Sequence, residues 1–526
     1  METLLLTGTL MVPLLGAVLG VAAAHTAAGK RLLSGLALLN LLLAATLAVQ
    51  TTLGRPHLVP GPWGLALVGD RLGAVFVLLA AGIQATVLPY AARSLEGKAF
   101  GRFAAFSQVL AAATDLTGIA ATPATLALGW VAAGVAVYAL VAGGGDAPAA
   151  ARRVGWAFLL GDGALVGAVL LLCGLAGNPT LAHLPAAAVP LAAVRFPVGP
   201  LVVTAGDAAA LLIVVAAVVR SALWPGPRWL PATLAAPTPV SALLHAGVVN
   251  AGGFLLIRLS PLLGATPAAD SLALIAGLAT AAFGGVAAVV RSDVKGSLVY
   301  STMSQMGFMI AECAVGAFAA AVFHLVAHAM YKAALFLGSG DGLAEAVRQR
   351  RTPRPRTAAV ARLRPVLAAG GALGLVAAAL VLDPSSLAHW DARVTVAFAA
   401  VGIGSLLWGF AGRRQTLAPT MWGALGLVAA GAGYLLWSSA VAAWLAPQLP
   451  SVSTAFRSPV WLLAGLAAAG AVAVWLAATA WRSAPAVRLR AWAFWAAWGR
   501  PVWPQGTPVA VRGDAWEVGS SWKQPV

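Results

Sequence analysis

The segment Phe323–Lys332 reads FHLVAHAMYK and lies inside an otherwise apolar run of the sequence. It spaces His324, His328 and Lys332 four residues apart, and at 3.6 residues per turn their side chains share one face of a single helix. An ionisable group in the hydrocarbon of a bilayer costs several kcal/mol, so a column of three favours a path for protons or cations. Three separate polar contacts between packed helices are the alternative interpretation.

The composition predicts an all-α polytopic membrane protein. Of the 526 residues, 60% are hydrophobic and only 9% are charged, and the mean hydropathy is +0.89. Soluble domains are not built this way, and the apolar runs predict about 13–15 transmembrane helices. The first run, Leu4–Ala24, follows Glu2 rather than a basic segment, so we interpret it as a retained span and not a signal peptide.

The net charge of +17 predicts an orientation in the membrane rather than a nucleic-acid partner. Twenty-five of the 33 basic residues lie in odd-numbered connections and the tail, and five lie in even-numbered connections. Because Lys and Arg concentrate in cytoplasmic connections, the N-terminus is predicted outside the cell (inner) membrane and the tail in the cytoplasm. Cys173 and Cys313 form neither a CxxC pair nor a metal cluster, so neither a disulfide framework nor a zinc site is expected. The chain is predicted to hold no cofactor.

Further ionisable residues are scattered through the apolar runs. They are Asp115, Asp162, Asp207, Arg220, His245, Arg258, Lys295 and Glu312. Buried charges need partners, and either Asp162 or Asp115 could balance Arg220. Arginine keeps its proton, so Arg220 is predicted to act as a fixed charge.

The remaining ionisable residues divide into relay candidates and structural ones. Lysine can release a proton when buried and histidine can relay one through either ring nitrogen, so Lys295, Lys332 and the histidines are candidates for loading and transfer. A structural role is the open alternative for His245. Glu312 and Arg258, near the ends of their spans, are predicted to snorkel toward an interface.

Prolines predict an interrupted helix between the seventh and eighth apolar runs, at 200–223 and 239–262. Leu223-Trp224-Pro225-Gly226 ends the seventh run, and further prolines follow at 231, 237 and 239. Proline breaks a helix and frees backbone carbonyls, an arrangement that transporters use to expose polar backbone to an ion. An ordinary loop between two spans is the other interpretation.

Three stretches together resemble the antiporter-like subunits of respiratory complex I and Mrp-type cation/proton antiporters. They are LPATLAAPTPVSALLHAGVVNAGGFLL (230–256), RSDVKGSLVYSTMSQMGFM (291–309) and FHLVAHAMYKAALFLGSG (323–340). The resemblance implies two inverted five-helix repeats with discontinuous helices. It also implies that His245, Lys295, His324, His328 and Lys332 lie on a central hydrophilic axis, with Arg220 at a position where the family usually has lysine.

Two departures from the family pattern put one exit route in doubt. Val131, within ALGWVAAGVAVYAL (126–139), stands where the family carries glutamate. The lysine-bearing broken helix expected after Arg364 has no obvious equivalent in the sequence.

One branch of the family, the membrane subunits of DAB-type inorganic carbon transporters, is similar in HAGVVNAGGFLLIRLSPLL (245–263), the short C-terminal half and the basic tail. This resemblance implies a DabA-like zinc protein as cytoplasmic partner, related to β-carbonic anhydrases, with the zinc in that partner. It also implies uptake of inorganic carbon driven by protons or Na⁺. A cation/proton antiporter subunit and a non-conducting membrane anchor are the two alternatives.

The predicted organisation has five regions. They are N-terminal transmembrane helices at 1–100, an antiporter-like translocation core at 101–340, a basic cytoplasmic loop at 341–364, C-terminal transmembrane helices at 365–482 and a tail at 483–526. The tail stretch RLRAWAFWAAWGR mixes arginine with tryptophan, which predicts contact with lipid headgroups. A docking surface for a cytoplasmic partner is an equal interpretation.

Overall fold

The computed structural model describes residues 2–339, apart from residues 24, 55, 144–147, 199–200, 227–228, 264–265 and 292. It also describes scattered residues between 367 and 407, and the segment 417–448. The predicted loop at 341–364, most of the region 365–482 and the tail lie outside the described residues, as does the position of the lysine-bearing helix expected after Arg364.

The described residues are almost all helical. The helices are α1 (Glu2–Ala23), α2 (Ala27–Leu53), α3 (Arg71–Ser94), α4 (Gly97–Gly118), α5 (Pro123–Ala142), α6 (Pro148–Ala176), α7 (Leu184–Ala193), α8 (Ala205–Arg220), α9 (Trp229–Ala232), α10 (Thr238–Ala246), α11 (Ala251–Arg258), α12 (Ser260–Leu263), α13 (Pro267–Val290), α14 (Val294–Ala314), α15 (Phe318–Leu337) and α16 (Leu417–Leu445). Two antiparallel hairpins pair β1 (Leu58–Pro60) with β2 (Ala66–Val68) and β3 (Arg195–Val198) with β4 (Leu201–Thr204).

Nine spans in the described part of the chain are long and apolar enough to cross a membrane. Two more polar helices, α4 and α14, pack among them and carry Asp115 and Lys295. The prediction of an all-α polytopic membrane protein is confirmed.

The seventh span starts later than the sequence predicts. Residues 201–204 form β4, and α8 begins only at Ala205. The hydroxyl of Thr204 accepts from the backbone N–H of Asp207, while the Asp207 carboxylate accepts from the N–H of Thr204. Asp207 is therefore the capping partner at the start of helix α8, and its depth in the membrane stays a prediction.

The regular helix ends after the seventh span, as predicted, and part of the following segment packs into the bundle. Between Arg220 and Thr238 the chain forms the short α9 and a 3₁₀ turn at Thr233–Ala235. Trp229 is buried, and its indole N–H donates to the carbonyl of Val219 at 2.8 Å. Trp229, Leu230 and Thr233 are buried, whereas Trp224 and Ala235 are exposed. The connection between α8 and α10 is thus irregular and partly buried.

The eighth span contains a second break, which the sequence analysis did not single out. α10 ends at Ala246, a 3₁₀ turn covers Val248–Asn250, and α11 begins at Ala251. The hydroxyl of Ser221, directly after α8, donates to the carbonyl of Val249 inside this turn at 2.8 Å. The two breaks therefore contact each other in the core of the bundle.

Candidate ion-translocation site

The column predicted on α15 is present in the structure. The ring centroids of His324 and His328 are 6.2 Å apart, and His324 and Lys332 are separated by about 12 Å along the helix axis at 1.5 Å per residue. His328 and Lys332 are 3% and 1% exposed, whereas His324 is only partly buried. Three titratable side chains thus follow one helix through the packed core.

Lysine residues lie at the end of the column nearest the C-terminus of α15. The ammonium of Lys332 donates to the hydroxyl of Ser301 at 2.5 Å and to the carbonyl of Leu298 at 3.4 Å, both on α14. Lys295, in the first turn of α14, donates to the carbonyl of Ala236 at 3.0 Å in the interrupted segment before α10. Both ammonium groups therefore donate to neutral oxygens. Such oxygens stabilise the ammonium but hold its proton less strongly than a carboxylate would.

His245 lies in the last turn of α10 and faces the column. Its ring stacks on Phe336 of α15, with centroids 4.2 Å apart and planes 11° from parallel. The residue is buried, and it interacts electrostatically with Lys332 and Lys295. The structure thus brings His245 to the column from a second helix, directly before the break at Gly247.

Asn250 contacts His328 from the break in the eighth span. Its amide nitrogen donates to the carbonyl of Ala246 at 2.6 Å, which fixes the orientation of the amide, so the oxygen must face His328 Nδ1 at 3.0 Å. That oxygen can only accept, so Nδ1 carries the hydrogen. Nε2 of His328 is buried and has no hydrogen-bond partner among the described residues. It is therefore the nitrogen free to accept a proton.

Glu312 lies at the opposite end of the column from the lysines. Its carboxylate contacts Nδ1 of His324 at 2.9 Å, and the residue is 2% exposed. The prediction that Glu312 snorkels toward an interface was wrong, because the tight turn between α14 and α15 folds its carboxylate back onto the column. Donors and acceptors from α10, α14 and α15 therefore lie in one series between Lys295 and Glu312.

Arg220 pairs with Asp162, which was one of the two partners left open by the sequence. The guanidinium is 2.5 Å from the Asp162 carboxylate and also donates to the carbonyl of Trp130 at 3.0 Å. It lies 4.4 Å from the ring centroids of both Trp130 and Phe158. The carboxylate thus comes from α6, whereas α5 presents Val131 beside Trp130.

The other candidate partner, Asp115, forms no ion pair with Arg220 in the described part of the chain. Its carboxylate accepts from the amide of Asn40 at 2.9 Å, so its assignment as a counter-charge of Arg220 was wrong. Arg258 is 9% exposed and forms an ion pair with Asp70, which also caps α3. The prediction that Arg258 snorkels was therefore also wrong.

Sequence reasoning missed Asn250 and Ser301 as contacts of the column. The available signal was weak: Asn250 is a single polar residue in an apolar run, and Ser301 is one of several hydroxyl residues on α14. The part of the chain that the structure describes contains no group of three or more His, Cys, Asp or Glu side chains placed to hold a metal ion.

Comparison with known proteins adds the following relationships. The model of the family described as "NADH:quinone oxidoreductase/Mrp antiporter, TM" matches residues 122–401. "Probable inorganic carbon transporter subunit DabB1" of Halothiobacillus neapolitanus is 37% identical over 297 residues, which are 55% of this chain and 52% of the relative. NADH-quinone oxidoreductase subunit L of Mycobacterium tuberculosis is 32% identical over 352 residues, which are 65% of this chain and 53% of the relative.

One solved structure is also similar to this chain in fold. The Mrp complex from Dietzia sp. DQ12-45-1b matches with a TM-score of 0.56 and 26% identity, covering 94% of this chain and 52% of the matched chain. This chain spans about half the length of the curated relatives described above.

Proposed function

Since this chain belongs to the NADH:quinone oxidoreductase/Mrp antiporter transmembrane family, we propose that it is the ion-conducting membrane subunit of an inorganic carbon uptake complex. The observation that carries the proposal is a series of titratable groups, four of them buried and Lys295 and His324 partly buried. The series runs from Lys295 through Lys332, His245, His328 and His324 to Glu312. The similarity to an inorganic carbon transporter subunit supports the choice of transported substrate.

The ion moves inward down its electrochemical gradient along this series. With the N-terminus outside, protons or Na⁺ enter at the Glu312 end and leave at the Lys295 end. His328 receives a proton on Nε2, and the fixed charge of Arg220 biases neighbouring groups. One charge crossing a potential of about 100 mV releases about 2.3 kcal/mol, which is enough to bias a partner's conformation substantially.

The energy is delivered to a cytoplasmic partner. That partner is a DabA-like zinc protein in which CO₂ becomes bicarbonate, and ion entry makes the conversion effectively one-way. Catalysis and zinc belong to the partner, and this chain supplies the ion path in the inner membrane.

The proposal is tested by uptake of labelled inorganic carbon in cells that express both subunits. His328→Ala and Lys332→Ala should each abolish uptake while protein levels stay normal. His57→Ala, at an exposed position, is the matched control and should retain uptake. Uptake at the wild-type level in both column variants would refute the relay.

A cation/proton antiporter subunit is the second candidate, and the similarity to NADH-quinone oxidoreductase subunit L and to the Mrp complex favours it. It predicts cation-dependent proton exchange in vesicles without the zinc partner. A non-conducting anchor is the third candidate, and an uncoupler distinguishes it: partner activity should collapse if this chain conducts and stay unchanged if it only anchors.

A further inference from the structure

A second buried polar cluster lies outside the translocation column, between the N-terminal helices. Asp115 on α4 is fully buried, and Asn40 on α2 is 2% exposed. Their only described mutual contact is the hydrogen bond from the Asn40 amide to Oδ2 of Asp115 at 2.9 Å. Neither residue contacts Arg220 or the α15 column, so the proposed ion path does not explain them.

Two oxygens in this cluster lack partners. Oδ1 of Asp115 and Oδ1 of Asn40 are both buried and have no hydrogen-bond partner among the described residues. Asp115 also forms no ion pair within the described part of the chain, unlike Asp162 and Asp70. A lone carboxylate in the hydrocarbon depth of a membrane protein costs several kcal/mol unless a bound proton neutralises it or a cation balances its charge.

The C-terminal end of α4 also favours a positive charge beside Asp115. Asp115 lies in the last turn of α4, which ends at Gly118. The C-terminal end of a helix carries a partial negative charge, so it disfavours a carboxylate and favours a cation at the same place. The partial negative charge of the helix end therefore adds to the negative charge of Asp115 instead of offsetting it.

Helix α1 brings a third oxygen to the same level. A Cβ at Gly20 would lie 2.8 Å from the backbone nitrogen of Ala105, and one at Gly16 would lie 2.9 Å from Cδ of Gln108. These contacts make α1 and α4 antiparallel neighbours, and continuing their register places Thr9 opposite Asp115. Thr9 is fully buried, and its hydroxyl donates to the carbonyl of Leu6 at 3.0 Å, which leaves the hydroxyl oxygen able to accept.

We propose that Asp115 and Asn40, with Thr9 facing them, form a resident site for one monovalent oxygen-liganded cation, Na⁺ in the first instance, that joins α1, α2 and α4. The single carboxylate balances a single charge, and carboxylate, amide and hydroxyl oxygens are the ligands that hard cations prefer. The cation stabilises the N-terminal helices and is separate from the ion conducted along the column.

The test is the thermal stability of the purified full chain in NaCl, KCl and choline chloride at equal ionic strength and fixed pH. The wild-type protein should melt at a higher temperature in NaCl than in choline chloride, with a saturable dependence on Na⁺. Asp115→Asn, which keeps the shape and removes the charge, should lose that dependence. Asp270→Asn removes another largely buried carboxylate, on α13, and should keep it.

A direct measurement covers the case in which one variant folds poorly. Binding of ²²Na⁺ to the wild-type chain should be saturable and should be lost in both Asp115→Asn and Asn40→Leu. Stability that responds to pH but not to Na⁺ would assign the balancing charge to a proton and overturn the proposal. A Na⁺ response that persists in Asp115→Asn would overturn it as well. Neither readout depends on transport, so the proposed function can fail without affecting this site.

Discussion

At Asn250 a side chain without charge controls the chemistry of a titratable neighbour. The hydrogen bond to the carbonyl of Ala246 leaves only the amide oxygen for His328, which places the ring hydrogen on Nδ1 and the accepting lone pair on Nε2. The break in the eighth span is what allows this contact, since a continuous helix would tie up the carbonyl of Ala246. An uncharged residue therefore determines which ring nitrogen of His328 is free to accept a proton.

Asn250→Leu should disturb His328 without removing it. The substitution keeps the branching at Cγ but leaves the Nδ1 hydrogen of His328 without an acceptor, a loss worth about 1–3 kcal/mol. We expect a large fall in uptake and a change in the tautomer of His328. Asn250→Asp retains an acceptor oxygen and should keep hydrogen on Nδ1. Nitrogen-15 NMR of labelled histidine measures the tautomer independently of transport, and an unchanged spectrum in Asn250→Leu would contradict the assignment.

Breaking the ion pair between Asp162 and Arg220 should have a measurable effect on the stability of the protein. Removing one partner of a buried ion pair leaves an uncompensated charge, so Asp162→Asn should lower the free energy of unfolding by about 3–5 kcal/mol. The double variant Asp162→Asn with Arg220→Gln should be destabilised less, since neither charge remains. Thermal melting of the single and double variants measures the coupling. Equal stability of Asp162→Asn and the wild-type protein would show that the pair is not needed for folding.

At the scale of helices, the composition and periodicity of the sequence predict the regular helices well and the irregular backbone poorly. The spacing of His324, His328 and Lys332 identified one face of α15, because that inference needs only the helical period. The break at Gly247 escaped notice because no proline marks it. Its turn at Val248–Asn250 contacts Ser221 at the end of α8, a tertiary contact that one sequence does not contain. The pairing of Asp162 rather than Asp115 with Arg220 likewise depends on which helices are neighbours, which one sequence does not contain.

Close packing between α8 and α11 gives a prediction for this scale. A Cβ at Gly252 would lie 2.5 Å from the carbonyl oxygen of Ala217, so Gly252→Ala must push the two helices apart. Overpacking of this kind costs about 1–3 kcal/mol, and we expect a lower melting temperature together with reduced uptake, because α8 ends at Arg220. Gly163→Ala, where a Cβ would meet nothing within 4 Å, is the control and should melt at or above the wild-type temperature. Identical melting of both variants would contradict the close approach.

At the scale of the whole molecule, a basic side chain joins the ends of two helices on each face of the bundle. On one face Lys30 donates to the carbonyls of Ala92 and Leu95 at 2.7 and 3.2 Å, which joins the start of α2 to the end of α3. On the other face Arg258 pairs with Asp70, which joins the end of α11 to the start of α3. The face with Lys30 is also the one that the distribution of basic residues predicts to be cytoplasmic.

This assignment of faces predicts which connections a reagent can reach from outside the cell. Trp63, between β1 and β2, is 93% exposed and should be extracellular, whereas Glu96, between α3 and α4, should be cytoplasmic. In a chain with Cys173 and Cys313 replaced by alanine, a membrane-impermeant maleimide should label Trp63→Cys in intact cells. It should label Glu96→Cys only after permeabilisation, and the cysteine-free chain should not be labelled at all. The reverse pattern would invert the membrane orientation, and with it the direction in which ions pass from Glu312 to Lys295.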